Sequence, residues 1–266
     1  MANKEVIEQT GSDISTSRIR YAPTNGAIIY PESDGKPMAE TELHRNALIN
    51  ALIILIEAFK DKPDVCVSGN MMMYYVEGDP KKSVSPDVFV SFGIGKKLRR
   101  TYRVWEEGKP PDFVLEFSSE KTHRTDQNEK KLLYASIGVQ EYFLYDPERQ
   151  YLPTPLMGFR LIEGKFVPIP ADSDGSVMSA TLNLKLRLRG NTLGFYDTVS
   201  SKWLETPADT AAAQAEQEAV RADEEAARAD RETARADQEA EIRKQAEAEA
   251  ARLREELERL TAQNTS

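Results

Sequence analysis

The sequence predicts a mixed α/β or α+β domain over about residues 26–206, a sheet with one helix at the front and another in the middle, followed by a long C-terminal helix. Three observations carry this. Short apolar runs bounded by turn residues recur through the first two hundred positions. The segment AETELHRNALINALIILIEAFK is too long and too densely apolar for a strand. From Ala208 the composition narrows to Ala, Glu, Arg, Asp and Gln.

Residues 1–25 are polar and unpatterned and read as a flexible N-terminal arm. Thr41 is placed to cap the front helix, whose dense Leu/Ile content predicts burial on most of its circumference, with a stop near Asp61-Lys62-Pro63. Strand-like runs follow at 64–67 and 71–76, then VSPDVFVSF, then PPDFVLEFSS at 110–119. In the last of these, Phe113-Val114-Leu115 has no alternating polar positions, which marks an inner strand. Residues 125–137 read as a helix with Leu132, Leu133, Ala135 and Ile137 apolar and Gly138 as its stop. VQEYFLYDP is a strand closed by an Asp-Pro turn, and two hairpins follow, around Glu163-Gly164-Lys165 and around Gly190-Asn191.

In the tail, residues 207–266, Arg221, Arg228 and Arg235 recur every seven residues, as do Asp223, Asp230 and Asp237. Ala222, Ala226, Ala229, Thr233, Ala236 and Ala240 fall at alternating spacings of four and three, and Leu253, Leu257 and Leu260 strengthen the far end. A coiled coil and a lone helix held by Glu/Arg pairs both fit; the first is preferred and predicts a homo-oligomer formed through residues 208–263.

The net charge of −9 is unevenly spread: residues 207–266 hold 9 Lys/Arg against 16 Asp/Glu, a balance of −7, which leaves −2 for residues 1–206. The near-neutral body contains GKKLRRTYR, where Lys96, Lys97, Arg99, Arg100 and Arg103 surround Tyr102. Such a stretch either follows a phosphate backbone, making these five candidate DNA contacts, or is a solvated loop. No run of 18 apolar residues is present and the N-terminal stretch lacks the apolar centre of a signal peptide, so the expectation is a cytoplasmic protein with no membrane partner. One cysteine, Cys66, builds neither a disulfide framework nor a cysteine zinc site, and two histidines 79 residues apart make no zinc site without further ligands.

The chemistry begins at Glu116, which closes the apolar run FVL. Burying an ionised, unpartnered Glu costs several kcal/mol, so Glu116 must be paired, protonated, at the strand's exposed end, or holding a metal. Asp87 opens VFVSF 29 residues earlier; if the two strands are neighbours, both carboxylates reach one sheet edge. Paired carboxylates there suit Mg²⁺, which takes one or two acidic side chains and completes its shell with waters and phosphate. The alternative is a pair of strand-end carboxylates that accept backbone N–H bonds. Asp126, Lys130 and Tyr134 stand at i, i+4 and i+8 on one helix face, so Lys130 either points back at the carboxylates or makes a helix-surface salt bridge with Asp126.

SPDVFV, PPDFVLEFSS and the Asp126, Lys130, Tyr134 series running into GVQEYFLYDP, with DGKPMAETELHRN and MMMYYVEGDPKKSVSPD before them, resemble the Uma-two restriction-endonuclease family. This family is a branch of the PD-(D/E)XK nuclease superfamily, and the resemblance covers about residues 30–206. It implies a restriction-endonuclease-like mixed central sheet flanked by helices, in a metal-dependent endonuclease that hydrolyses DNA phosphodiester bonds. It further implies that Asp87 and Glu116 hold Mg²⁺ (or Mn²⁺) and that Lys130 does the work of the superfamily's motif lysine. Two residues after Glu116 stands Ser118 rather than lysine; the helix lysine compensates, with Lys131 and Lys121 near enough to compete. Glu42 corresponds to a position where many such nucleases keep an extra acid, and His44 follows; both join Asp126 and Tyr134 as accessory candidates. The rival reading is a catalytically inactive nuclease fold that binds DNA or assembles through its coiled coil.

Overall fold

A computed structural model describes residues 28–35 and 41–263, so the arm assigned to residues 1–25 lies outside the described residues. Backbone contacts divide the chain between Thr206 and Pro207 into two compact units. In the first, α1 (Glu42–Ala58) precedes β1 (Val65–Ser68), β2 (Met73–Tyr74), β3 (Ser83–Val84), β4 (Val88–Phe92), β5 (Tyr102–Arg103), a short α2 (Val104–Glu107) and β6 (Phe113–Phe117). A helix then runs in three parts, α3 (His123–Thr125), a π turn (Asp126–Lys130) and α4 (Lys131–Ile137). After it come β7 (Glu141–Tyr145), β8 (Leu156–Ile162), β9 (Lys165–Pro168), β10 (Val177–Ser179), β11 (Leu184–Arg189), β12 (Thr192–Asp197) and β13 (Lys202–Trp203). The second unit is α5 (Pro207–Gln263).

The main sheet has six strands in the order β1-β4-β6-β7-β8-β9. Only β6 and β7 are parallel, joined by the α3–α4 helix; the other neighbours are antiparallel. FVLEF and EYFLY are buried at every position, which is why their sequences carry no polar alternation. Successive side chains of a strand face opposite sides. Phe113, Leu115, Phe117 and Phe143 therefore pack with α1 and with the smaller β10-β11-β12-β13 sheet, while Val114, Tyr142 and Leu144 pack with Tyr134 of α4. A third sheet, β3-β2-β5, buries Met73 and Tyr102 beside Phe89.

Local signals act as read. The Thr41 hydroxyl accepts the His44 N–H at 3.2 Å and caps α1. Gly138 takes φ 93° and stops α4, and Glu163-Gly164 at φ 49° and 77° make the tight hairpin turn between β8 and β9. The expected burial of α1 on most of its circumference is corrected: Ala47, Leu48, Ala51, Ile54 and Leu55 face the sheet, but Ile49, Ile53 and Ile56 remain 38–48% exposed. A helix on the outside of a sheet has one face to bury, however apolar the rest of it is.

The basic stretch after β4 is tied down by its own cations. Lys96 donates to the carbonyls of Phe59 and Lys60 at 2.7 and 2.6 Å, satisfying the end of α1. Arg99, 4% exposed at its side chain, makes a two-pronged pair with Glu107, both bonds 2.9 Å, and also donates to the carbonyls of Gly95 and Lys97. Lys97 joins Glu107 at 3.1 Å, Arg100 pairs with Glu32, and Arg103 pairs with Glu106 while lying over the Tyr30 ring.

α5 buries no side chain among its described residues, and at 57 residues spans about 86 Å. Ala208, Ala212, Ala215 and Ala219 extend its seam of alternating four and three back to its first turn. Among the described residues no helix is long and apolar enough to cross a membrane.

The Arg99–Glu107 pair gives a test with a definite sign. Arg99's hydrogen bonds, more than any other influence, hold the Glu107 carboxyl below its ordinary value. A depressed carboxylate stabilises the fold above its unfolded value, about 4.3, and that contribution is lost as pH falls through its folded value. Glu107→Gln should cost about 1–3 kcal/mol at pH 7, the range for hydrogen bonds to a charged group. In urea denaturation at stepped pH, the gap to wild type should close on the acid side of that window.

Candidate active site

The register of β4 against β6, Val88 opposite Leu115, sets Asp87 and Glu116 at one edge of the main sheet. Asp87 stands immediately before β4 and accepts the Phe117 N–H at 2.8 Å. Glu116 is fully buried in β6, and each of its oxygens has a donor: Lys130 Nζ at 2.8 Å from Oε2, and the Tyr134 hydroxyl at 2.7 Å from Oε1. Lys130 Nζ lies 3.0 Å from Asp126 Oδ1, and Asp126 Oδ2 accepts from the Ser118 hydroxyl at 3.2 Å. Asp126 is also buried, so one ammonium faces carboxyls that have almost no water.

Burial pushes Glu116 well above the ordinary carboxylate range; Lys130 opposes this, and Asp87 and Asp126 add to it. Burial raises Asp87 as well, against Lys130 and the Phe117 N–H. For Lys130, burial alone would favour the neutral amine, but Glu116, Asp126 and Asp87 together outweigh it and hold its pKa above the ordinary lysine value. The Lys130 ammonium thus keeps its charge. Tyr134, raised by burial and then by Glu116, stays a hydroxyl donor.

The structure brings together Asp87, Glu116, Asp126, Lys130 and Tyr134. Lys131 is turned away, its ammonium 3.6 Å from the centre of the Phe159 ring. Lys121 is exposed in the loop before α3. Glu42 is exposed and 3.9 Å from Arg45, and His44 is buried against the Phe117 ring, whose neighbour Glu116 points to the opposite face. The run from Gly95 to Arg100 continues from the end of β4 remote from Asp87. Two contributors, Tyr142 and Gly69, escaped sequence reasoning, and a third, Ser118, was read only as a departure from the superfamily's pattern. Ser118, at the position of the superfamily's lysine, serves Asp126. Tyr142, fully buried on β7, donates to the Asp126 carbonyl at 2.9 Å. Gly69 packs so closely on the start of β4 that a Cβ there would lie 2.1 Å from the Asp87 carbonyl oxygen. A Gly directly after the strand VCVS was the available signal for a close backbone approach.

The family described as “Putative restriction endonuclease”, Uma2, matches residues 17–190. The chain belongs to this family. The mixed sheet with flanking helices is accordingly of the restriction-endonuclease-like class. The chain is also similar to a solved protein titled “putative nuclease belonging to DUF820 from Anabaena variabilis ATCC 29413”, with 17% identity, 57% of this chain and 81% of that chain covered, and a TM-score of 0.41. Among curated proteins none matches.

Gly69→Ala tests the backbone approach that positions Asp87. The clash is with backbone, which cannot swing aside, so thermal denaturation should show a loss of about 1–3 kcal/mol. Unchanged stability would mean that the Gly69–Asp87 approach is looser than described.

Proposed function

We propose that this protein is a metal-dependent endonuclease that hydrolyses DNA phosphodiester bonds, with Asp87, Glu116 and Lys130 as its catalytic residues. The observation that supports this most is the grip on Glu116, a buried carboxylate held between a charged lysine and a neutral tyrosine, with a second carboxylate at its side. Among the described residues no three His, Cys, Asp or Glu side chains gather closely enough to hold a metal together. Two carboxylates are what Mg²⁺ (or Mn²⁺) takes from a protein when water and phosphate complete its shell. The charge fits too: Asp87 and Glu116 are both pushed toward protonation, and a divalent cation beside them would relieve the same excess of negative charge. Asp87 and Glu116 would hold the ion; when bound it polarises the scissile phosphate and lowers the pKa of a coordinated water.

The chain's own residues supply the rest. Lys130 keeps its proton in a place with little water, where an ammonium stabilises charge developing on phosphate oxygens more strongly than it would in solvent. Tyr134 fixes the rotation of the Glu116 carboxylate, so that binding a ligand does not first require ordering it. Of the five cations between residues 96 and 103, Lys97 and Arg100 keep side chains that are 58% and 84% exposed, and we assign them to non-specific contact with the DNA backbone; Arg99 is held by Glu107.

Lys130→Ala should lower metal-dependent DNA cleavage about 10²–10³-fold, the usual loss for one electrostatic donor, with little change in DNA affinity. Lys131→Ala should cleave like wild type, because its ammonium sits on Phe159. The reverse pattern would transfer the role to Lys131. A wild-type protein that cuts no duplex, single-stranded or branched DNA with Mg²⁺ or Mn²⁺ would favour the inactive binding module.

For the tail, we infer a coiled coil that joins copies of this chain. Its Arg–Glu pairs at 228–232, 235–239 and 243–247 are all exposed and contribute only about 0.3–0.5 kcal/mol each. A continuous alanine seam has its use when a second helix packs on it. Sedimentation of the full chain and of a chain ending at Thr206 should give an oligomer and a folded monomer; a monomer in both cases would leave a lone helix.

A further inference from the structure

The cluster at Glu116 rests on an irregular piece of helix. Asp126 and Lys130 are the first and last residues of the π turn, and their side chains meet at 3.0 Å. Wide turns of this kind are rare within α-helices and are often found at functional sites. Something must hold this one open, because the helix is regular on both sides of it.

The holding contact comes from β7. The Tyr142 hydroxyl donates to the backbone carbonyl of Asp126 at 2.9 Å in a fully buried setting. The Tyr142 ring is fixed independently of that bond: it is stacked on Phe166 and Phe159 with centroids at 5.7 and 6.3 Å, and tilted against Tyr134 at 5.2 Å. The hydroxyl is therefore a rigidly mounted donor aimed at the start of the turn. Ser118 holds the same residue by its side chain, so Asp126 is fixed at two points. Beyond the turn, α4 is fixed by the buried Tyr134. Were the turn to tighten to α geometry with all its residues kept, the segment before it would rotate by about 100° relative to α4. Asp126 would then shift relative to Lys130, and its carboxyl would leave the place it holds between the Lys130 ammonium and the Ser118 hydroxyl.

We propose that Tyr142 is a positioning residue of the active site, its hydroxyl fixing the π turn and with it the Asp126 carboxyl that holds the Lys130 ammonium beside Glu116. The catalytic part of this rests on the nuclease reading; the positioning part does not. Burial holds the Tyr142 hydroxyl protonated far above neutral pH, as a donor to a carbonyl requires.

Tyr142→Phe keeps the ring stack and removes only the donor. In metal-free protein, amide deuterium exchange over residues 127–131 should speed up about tenfold or more, with the β6 and α1 amides unchanged. With Mg²⁺, kcat for DNA cleavage should fall about 10- to 100-fold, as for a misplacement on the order of 1 Å, and KM should stay the same. Wild-type exchange and kcat in Tyr142→Phe would overturn the proposal. So would faster exchange spread evenly over the domain, which would make Tyr142 a packing residue. If wild-type protein cleaves no DNA, the nuclease reading fails, while local exchange still decides the role of Tyr142.

Discussion

The site depends on one interaction: the Lys130 ammonium held at 2.8 Å from Glu116 and 3.0 Å from Asp126, in a place nearly closed to water. A buried carboxylate alone would be too costly to keep ionised, and a buried lysine alone would lose its proton. Together they persist because each offsets the desolvation of the other. The arrangement is nonetheless unbalanced, since Asp87 and Asp126 bring more negative charge than one lysine carries. Buried ion pairs are weak contributors to stability, so a cluster of this composition is better explained by function than by folding.

The fold delivers these groups from three directions. β4 and β6 are antiparallel neighbours, so the start of one and the end of the other share an edge, and their carboxylates meet there. The helix after β6 must return to start the parallel strand β7, and its inner face passes over β6 on the way. β7 in turn supports the helix through Tyr142. The opposite face of the sheet is apolar, packed by α1 and the β10-β13 sheet, and takes His44 with it.

Much of this was legible because local chemistry and tertiary role agree. The inner strands announced themselves by lacking polar alternation, the hairpins by Glu163-Gly164 and Gly190-Asn191, and α1 by Thr41. Asp87, Glu116 and Lys130 were legible as chemistry because a carboxylate ending a buried run demands a partner. Other features depend on contacts that no local pattern encodes. Nothing in DQNEK marks a π turn, and Tyr142 sits in a run where any aromatic would have read as core. GKKLRRTYR read as an open basic patch, yet Lys96 completes α1 and Arg99 is enclosed by Glu107, partners that only the folded chain supplies. The apolar density of α1 overstated its burial, since hydrophobic content alone does not say how many faces a neighbour covers.

The central claim is that Asp87 and Glu116 share a divalent cation beside a charged Lys130. Anomalous diffraction from crystals equilibrated with Mn²⁺ tests it most directly. The account predicts a peak about 2.0–2.2 Å from one oxygen of each carboxylate, absent from crystals of Glu116→Gln. Full Mn²⁺ equilibration with no peak at that edge, or a peak that persists unchanged in Glu116→Gln, would contradict it.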